Sequence, residues 1–166
     1  MHRIEFWRDI PTRLGELRLA IDSDGGLHSG WKTIGHCPQG GRFDPTLRED
    51  IVKWVQSSMA GHWAPLPAFE LPRTSPFRIR CLNACRAIPP GKTISYSQLA
   101  ELAGQPSAVR AAGSAMRHNS TPLLVPCHRV IRSNGALGGF AGQKSPDDPA
   151  VRLKSRLQEL ENGSAV

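Results

Sequence analysis

TISYSQLAELAGQPSAVRAAGSAMRHN, residues 93–119, is the stretch whose reading decides the fold. Ser95 stands just ahead of a helical apolar pattern and Gln98 follows three residues later. That is a capping box, in which each side chain satisfies a backbone amide left free at a helix start. Gly104 ends this helix, and Pro106 opens a second one that runs to about Arg117. Two short helices joined by a glycine-containing turn form the helix-turn-helix pattern.

On the second helix Val109, Ala112, Gly113 and Met116 share one face and suit inward packing. Arg110, Ser114 and Arg117 lie on another face at i, i+4 and i+7. Ala108, Ala111 and Ala115 leave the backbone nearly bare. So slim a helix approaches a partner closely, while its arginines supply charge for phosphate contact or for insertion into a base stack. The same small residues serve tight helix packing equally well, so this helix alone leaves both readings open.

Downstream lies LLVPCHRVIRSNGALGGF, residues 123–140. Leu123-Leu124-Val125 reads as a buried strand, and Pro126 introduces a turn before Cys127, His128 and Arg129. Asn134-Gly135 between apolar residues is a strong hairpin signal. Asp148-Pro149 then caps a last helix with Ala150, Leu153, Leu157 and Leu160 on its apolar face, ended by Asn162-Gly163. Upstream, Pro89-Pro90-Gly91 stops a helix over about 77–87 that turns Cys81, Leu82 and Cys85 inward. Four prolines within 64–76 make a stiff connector, and the domain boundary is placed there, giving 1–70 and 71–166.

The N-terminal part reads as β-rich. Leu17, Leu19 and Ile21 alternate with polar residues, and Asp24-Gly25-Gly26 supplies a turn, so residues 14–31 form a hairpin. Residues 35–43 are a glycine-rich loop. Asp44-Pro45 is expected to start a helix carrying Leu47, Ile51, Trp54, Val55 and Met59, with Gly61 as its stop.

With 166 residues, 39% of them apolar and 21% charged, the chain has the makeup of a folded globular protein rather than a disordered one. No apolar run approaches a membrane span, and Met1-His2-Arg3-Ile4-Glu5 is not a signal core. The expectation is therefore a cytoplasmic protein without membrane association. A net charge of +7 favours a polyanionic partner.

Four cysteines, Cys37, Cys81, Cys85 and Cys127, are too few and too irregular for a disulfide framework. Cys81 and Cys85, with His36, Cys37 and His62 upstream, raise the question of zinc. The chain lacks both a CxxC pair and a close His–His pair, so no metal is expected. Cys127 is a small core residue, a metal ligand or a nucleophile with its base beside it. A thiol attacks as thiolate and needs a base or a positive environment, and His128 offers one directly or through a bridging water.

Pro126-Cys127-His128-Arg129-Val130 resembles the active-site pentapeptide of the O6-alkylguanine-DNA alkyltransferases, also called methylated-DNA–protein-cysteine methyltransferases. The resemblance extends over IPPGKTISYSQLAELAGQPSAVRAAGSAMRHNSTPLLVPCHRVIRSNGALGGFAG, residues 88–142. In the N-terminal half it rests only on LGELRLA and the segment at Pro45-Thr46-Leu47. It implies an α+β protein, with a small N-terminal RNase H-like sheet-and-helix domain and a C-terminal winged helix-turn-helix domain.

The resemblance also implies roles. Cys127 would accept the alkyl group from O6-alkylguanine, with O4-alkylthymine as a further substrate, in a single irreversible turnover. His128 would take the thiol proton through a water, with Glu161 as its partner and Glu159 as the competing choice. Asn119 would orient the active-site loop. Tyr96 would press on the target phosphate and protonate guanine N3. Arg110 would fill the gap left by the flipped nucleotide. Ala111, Ser114 and Arg117 would contact DNA through the minor groove. Pro122, Val130, Gly138, Gly139, Phe140 and Ala141 would form the base pocket. No cofactor and a monomeric state are implied. Alkyltransferase-like proteins lack the acceptor cysteine, so Cys127 argues against that relative. A helix-turn-helix regulator has no need of a Cys-His pair, and nothing else in the sequence points to a cysteine hydrolase.

Overall fold

A computed structural model describes residues 3–35 and 37–163. His36, weighed above as a metal ligand, lies outside the described residues, as do both chain ends. The chain is a mixed α+β protein that divides into two compact units, Met1–Arg73 and Thr74–Val166.

In the first unit β1 (Ile4–Thr12), β2 (Gly15–Asp22) and β3 (Leu27–Trp31) form an antiparallel meander, and β4 (Arg42–Phe43) joins it in parallel to β1. The expected hairpin is β2–β3, and β4 lies inside the stretch read as loop. Gly41 is required there because a Cβ would sit 2.9 Å from the Glu5 backbone as the two strands converge. Ile10, Leu17, Leu19 and Trp31 are buried on the sheet, together with Ile51 and Val55 of α1 (Glu49–Met59).

That helix starts later than the sequence suggests. Asp44 does not cap it; its carboxylate accepts from the amide and hydroxyl of Thr46, both at 2.8 Å, in a local Asx turn. The helix begins only after Arg48, whose φ is 45°. At the other end the His62 amide reaches back to the Ser57 carbonyl across Gly61 at φ 88°, so Gly61 does act as the stop.

The second unit opens with α2 (Pro76–Arg86), capped by Ser75, with Cys81, Leu82 and Cys85 buried as expected. The two-residue β5 (Ile94–Ser95) leads into α3 (Tyr96–Leu102). Its capping box is complete, the Gln98 side chain accepting from the Ser95 amide at 2.8 Å and Ser95 Oγ accepting in return at 3.1 Å. Residues 105–108 form a turn, so α4 (Val109–Arg117) begins at Val109 rather than Pro106. Its buried residues are Ala112, Ala115 and Met116, whereas Val109 and Gly113 are only half-buried.

Two further expectations need correction. Leu123-Leu124-Val125 is buried but is not a strand; it is a tight turn with Leu123 at φ 74° and the Val125 amide on the Thr121 carbonyl at 2.8 Å. An apolar run fits either geometry, and here side-chain burial is achieved without a ladder. Asn134-Gly135 forms a tight turn closed by the Arg132 amide on the Ala136 carbonyl at 2.9 Å, but no return strand continues it, and the ladder of β6 (Val130–Ile131) is the parallel one with β5. The carbonyls of Leu137 and Gly139, which a return strand would use, accept from Lys154 Nζ at 2.5 and 3.3 Å. Lys154 lies on α5 (Pro149–Glu161), which Asp148 caps and which buries Ala150, Leu153, Leu157 and Leu160.

Candidate active site

Pro126 sits at φ −79°, ψ 63°, and the Cys127 amide donates back to the Val125 carbonyl at 2.8 Å, an inverse γ-turn centred on the proline. This turn delivers Cys127–Arg129 as a single 3₁₀ turn, all three residues buried. Asn119 ties the segment together. Its Nδ2 donates to the Val125 carbonyl at 2.9 Å and to Cys127 Sγ at 3.2 Å, while its Oδ1 accepts from the amide and hydroxyl of Thr121, both at 3.0 Å.

His128 is fully buried and its Nε2 lies 2.7 Å from Glu161 Oε1. A carboxylate only accepts, so Nε2 carries the proton and Nδ1 keeps the lone pair. Nδ1 is buried and has no protein partner among the described residues. Glu161 also receives Arg129, at 2.7 to 3.1 Å, and the Gly91 amide at 3.0 Å. Arg129 reaches on to the Ile88 carbonyl. Glu159, the competing choice, is exposed and accepts from Ser155 Oγ instead.

These contacts set the charge states. Burial opposes ionisation of Glu161, yet His128 and Arg129 hold its carboxyl down at about 2. Burial pushes the His128 imidazole below its ordinary range, with Glu161 pulling the other way. Burial raises the Cys127 thiol, against the Asn119 hydrogen bond and the charge of Lys154. Lys154 itself is brought down to about 8 by burial, although it donates to the carbonyls of Val130, Leu137 and Gly139. The Tyr96 phenol is raised by burial.

Cys127 opens into a cavity of about 300 Å³ whose other walls include Tyr96, Arg110, Gly113, Met116 and Arg117. Gly138, Gly139, Phe140 and Ala141 line it as the sequence suggests, but Pro122 and Val130 do not. Val130 is buried behind, its carbonyl on Lys154. Ala111 and Ser114 stay on the exposed face of α4, beside the cavity rather than in it. Phe140 and Gln143 exchange backbone hydrogen bonds, both at 2.9 Å, so the wall closes as a two-residue hairpin through Ala141 and Gly142.

Lys154, Arg132, Lys144 and Gln158 have no role in the expectations drawn from the sequence, yet Lys154 and Gln158 brace the site and Arg132 and Lys144 line the cavity. Gln158 donates to the His128 carbonyl at 2.6 Å. The signal for Lys154 was available. It follows Leu153 on the apolar stripe of its helix and precedes Glu161 by two turns, so a buried cation and a buried anion share one face. Among the described residues no group of three or more His, Cys, Asp or Glu side chains is placed to hold a metal ion.

Charge is divided unevenly along the chain. Residues 1–73 carry nine Lys or Arg and nine Asp or Glu; residues 74–166 carry twelve and five, so the whole excess of +7 belongs to the second unit. The arrangement offers a nucleophile and a phenol on the wall of one cavity, a base held by a carboxylate and a basic helix alongside. It suits displacement at a carbon brought in from outside.

The family model described as 6-O-methylguanine DNA methyltransferase, DNA binding domain, matches residues 76–163. The methylated-DNA–protein-cysteine methyltransferase of Mus musculus is 48% identical over 95 residues, covering 55% of this chain and 45% of that protein. The protein of the same name from Salmonella typhimurium is 36% identical over 116 residues, covering 69% and 63%. Among solved structures, Mycobacterium tuberculosis OGT in complex with DNA is 31% identical with a TM-score of 0.80, covering 95% of this chain and 93% of that one. The match spans less than half the length of the first curated relatives.

Proposed function

The chain belongs to the methylated-DNA–protein-cysteine methyltransferase family, and from that membership we propose that it repairs DNA by moving the alkyl group of O6-alkylguanine onto Cys127. The observation that carries this reading is the cavity itself, with Cys127 Sγ at its wall, held at 3.2 Å by Asn119 and backed by the His128–Glu161 pair.

A base inside a duplex is out of reach of a buried sulfur, so the nucleotide must be extruded into the cavity. Arg110, exposed on α4 at the cavity mouth, fills the space it leaves. The slim face of α4, with Ala111, Ser114 and Arg117, lies against the minor groove. DNA in the crystal of the tuberculosis protein and the concentration of positive charge in residues 74–166 both support a DNA partner. In this reading the second unit is a winged helix-turn-helix domain, the first an RNase H-like one, and the protein acts as a cytoplasmic monomer.

The His128 Nδ1 lone pair takes the thiol proton by way of a water, and Glu161 stabilises the imidazolium that results. The thiolate attacks the alkyl carbon, a sulfur–carbon bond forms, and the carbon–O6 bond breaks with its electron pair going to the base. Tyr96 supplies a proton at N3. A thioether is a poor leaving group, so each molecule acts once. Cys127→Ser tests the assignment: it should bind O6-methylguanine duplex within about threefold of the parent and transfer nothing, measured by fluorescence anisotropy and by release of labelled methyl. Residual transfer by this variant would place the acceptor elsewhere.

A further inference from the structure

We infer that the Cys127 cavity favours O6-adducts ending in an anion, with carboxymethyl as the simplest case, and that Arg132 and Lys144 select them. The inference rests on the reading that the cavity receives the alkylated base.

The cavity wall is built from glycines, and each of three carries a cationic side chain laid along it. A Cβ on Gly138 would meet Cγ of Arg132 at 3.4 Å and its Nε at 3.7 Å. One on Gly139 would meet Cγ of Lys144 at 3.6 Å, and one on Gly142 would meet Nε of Arg117 at 3.4 Å. All three cations line the same cavity as Cys127, and no Asp or Glu lines it with them. Among the described residues none of the three is ion-paired to a carboxylate. Arg110 adds a fourth positive charge to the lining.

Arg110 and Arg117 lie on the helix assigned to DNA, Arg110 to the gap left by the flipped nucleotide and Arg117 to the minor-groove face. Arg132 and Lys144 do not lie on that helix. Arg132 opens the turn through Ser133-Asn134 and lies on the Gly138 side of the wall with Tyr96, whose ring edge is 3.6 Å from the same Cβ position. Lys144 follows the Phe140–Gln143 hairpin on the Gly139 side. Unpaired cations on the walls of a half-enclosed cavity focus a positive potential into it. A terminal carboxylate on the adduct is drawn in by that potential; a neutral adduct of the same size is not.

The transfer step is unchanged in kind. Cys127 thiolate attacks the methylene carbon, the sulfur–carbon bond forms, the carbon–O6 bond breaks and guanine takes up the proton. The product is S-carboxymethylcysteine, its carboxylate still charged.

The test compares O6-carboxymethyl-2′-deoxyguanosine with its neutral isostere O6-carbamoylmethyl-2′-deoxyguanosine, free nucleosides that carry no phosphate. Rates of modification of Cys127 are read by mass spectrometry on the full chain. The expected preference for the carboxylate is roughly tenfold at low salt and shrinks as salt is raised. It falls about threefold in Arg132→Gln and in Lys144→Gln and to near unity in the double variant. The readout is a ratio within each variant, so a general loss of activity does not mimic the effect. Equal rates on the two adducts in the parent protein, or a preference that survives the double variant, overturns this inference while leaving alkyl transfer intact. Failure of both adducts and of O6-methylguanine duplex to modify Cys127 overturns the reading of the cavity as well.

Discussion

Lys154 shows how one side chain settles both geometry and reactivity. Its ammonium is fully buried, holds the carbonyls of Val130, Leu137 and Gly139, and opposes the rise that burial imposes on the Cys127 thiol. Lys154→Met keeps the apolar stem and leaves three carbonyls without their donor, so denaturant unfolding should show a loss of about 3 kcal/mol. The pH profile of Cys127 alkylation by iodoacetamide should move to higher pH. An unmoved profile would mean that Lys154 holds the loop without tuning the sulfur. Glu161 gives the matching prediction for acid. The folded forms of Glu161 and His128 both bind protons less readily than the unfolded chain, so stability falls as pH falls. The loss begins below about 6.5 with His128 and continues from about 4.5 down to about 2 with Glu161, the latter amounting to about 3 kcal/mol. Thermal midpoints followed across that range should fall steeply for the parent and more gently for Glu161→Gln. Parallel curves would count against the His128–Glu161–Arg129 cluster as the source.

At the scale of elements, the parts specified by neighbouring residues were legible. Ser95 and Gln98 announce the start of α3, and Asp148-Pro149 that of α5. What escaped was set by distant partners. The pairing of Ile94-Ser95 with Val130-Ile131 joins segments far apart in the chain, and no local pattern encodes it. Leu123–Val125 satisfies the apolar pattern of a strand, yet the bond from Asn119 Nδ2 to the Val125 carbonyl and the γ-turn at Pro126 hold it as a turn. The resemblance grouped Tyr96, Arg110, Asn119, Cys127 and His128, and the structure places Tyr96, Arg110 and Cys127 on one cavity with Asn119 bonded to the Cys127 sulfur. The carbonyls that Lys154 holds, the carboxylate that Arg129 meets and the place of Lys144 on the cavity were not legible, because they depend on how α5 and the 138–145 segment return to the site. The slim, exposed face of α4 leads to its own prediction. Arg110→Ala should slow repair in duplex DNA about tenfold or more while leaving the reaction with free O6-methylguanine base within about twofold, since only the duplex leaves a gap to fill. Equal losses on the two substrates would assign Arg110 to the cavity wall alone.

Over the whole molecule, charge and chemistry coincide. The first unit is electrically balanced, and the second holds the entire excess of +7 along with the cavity, the nucleophile and the basic helix. A polyanion is therefore drawn to the unit that carries the chemistry. The central claim is that Cys127 is an acceptor that acts once, and the most direct measurement is the mass of the full chain after incubation with a slight excess of O6-methylguanine duplex. The account predicts one added methyl group per molecule, located on the peptide containing Cys127, with no further turnover when fresh duplex is supplied. An unchanged mass, or a methyl group on any other residue, would contradict it.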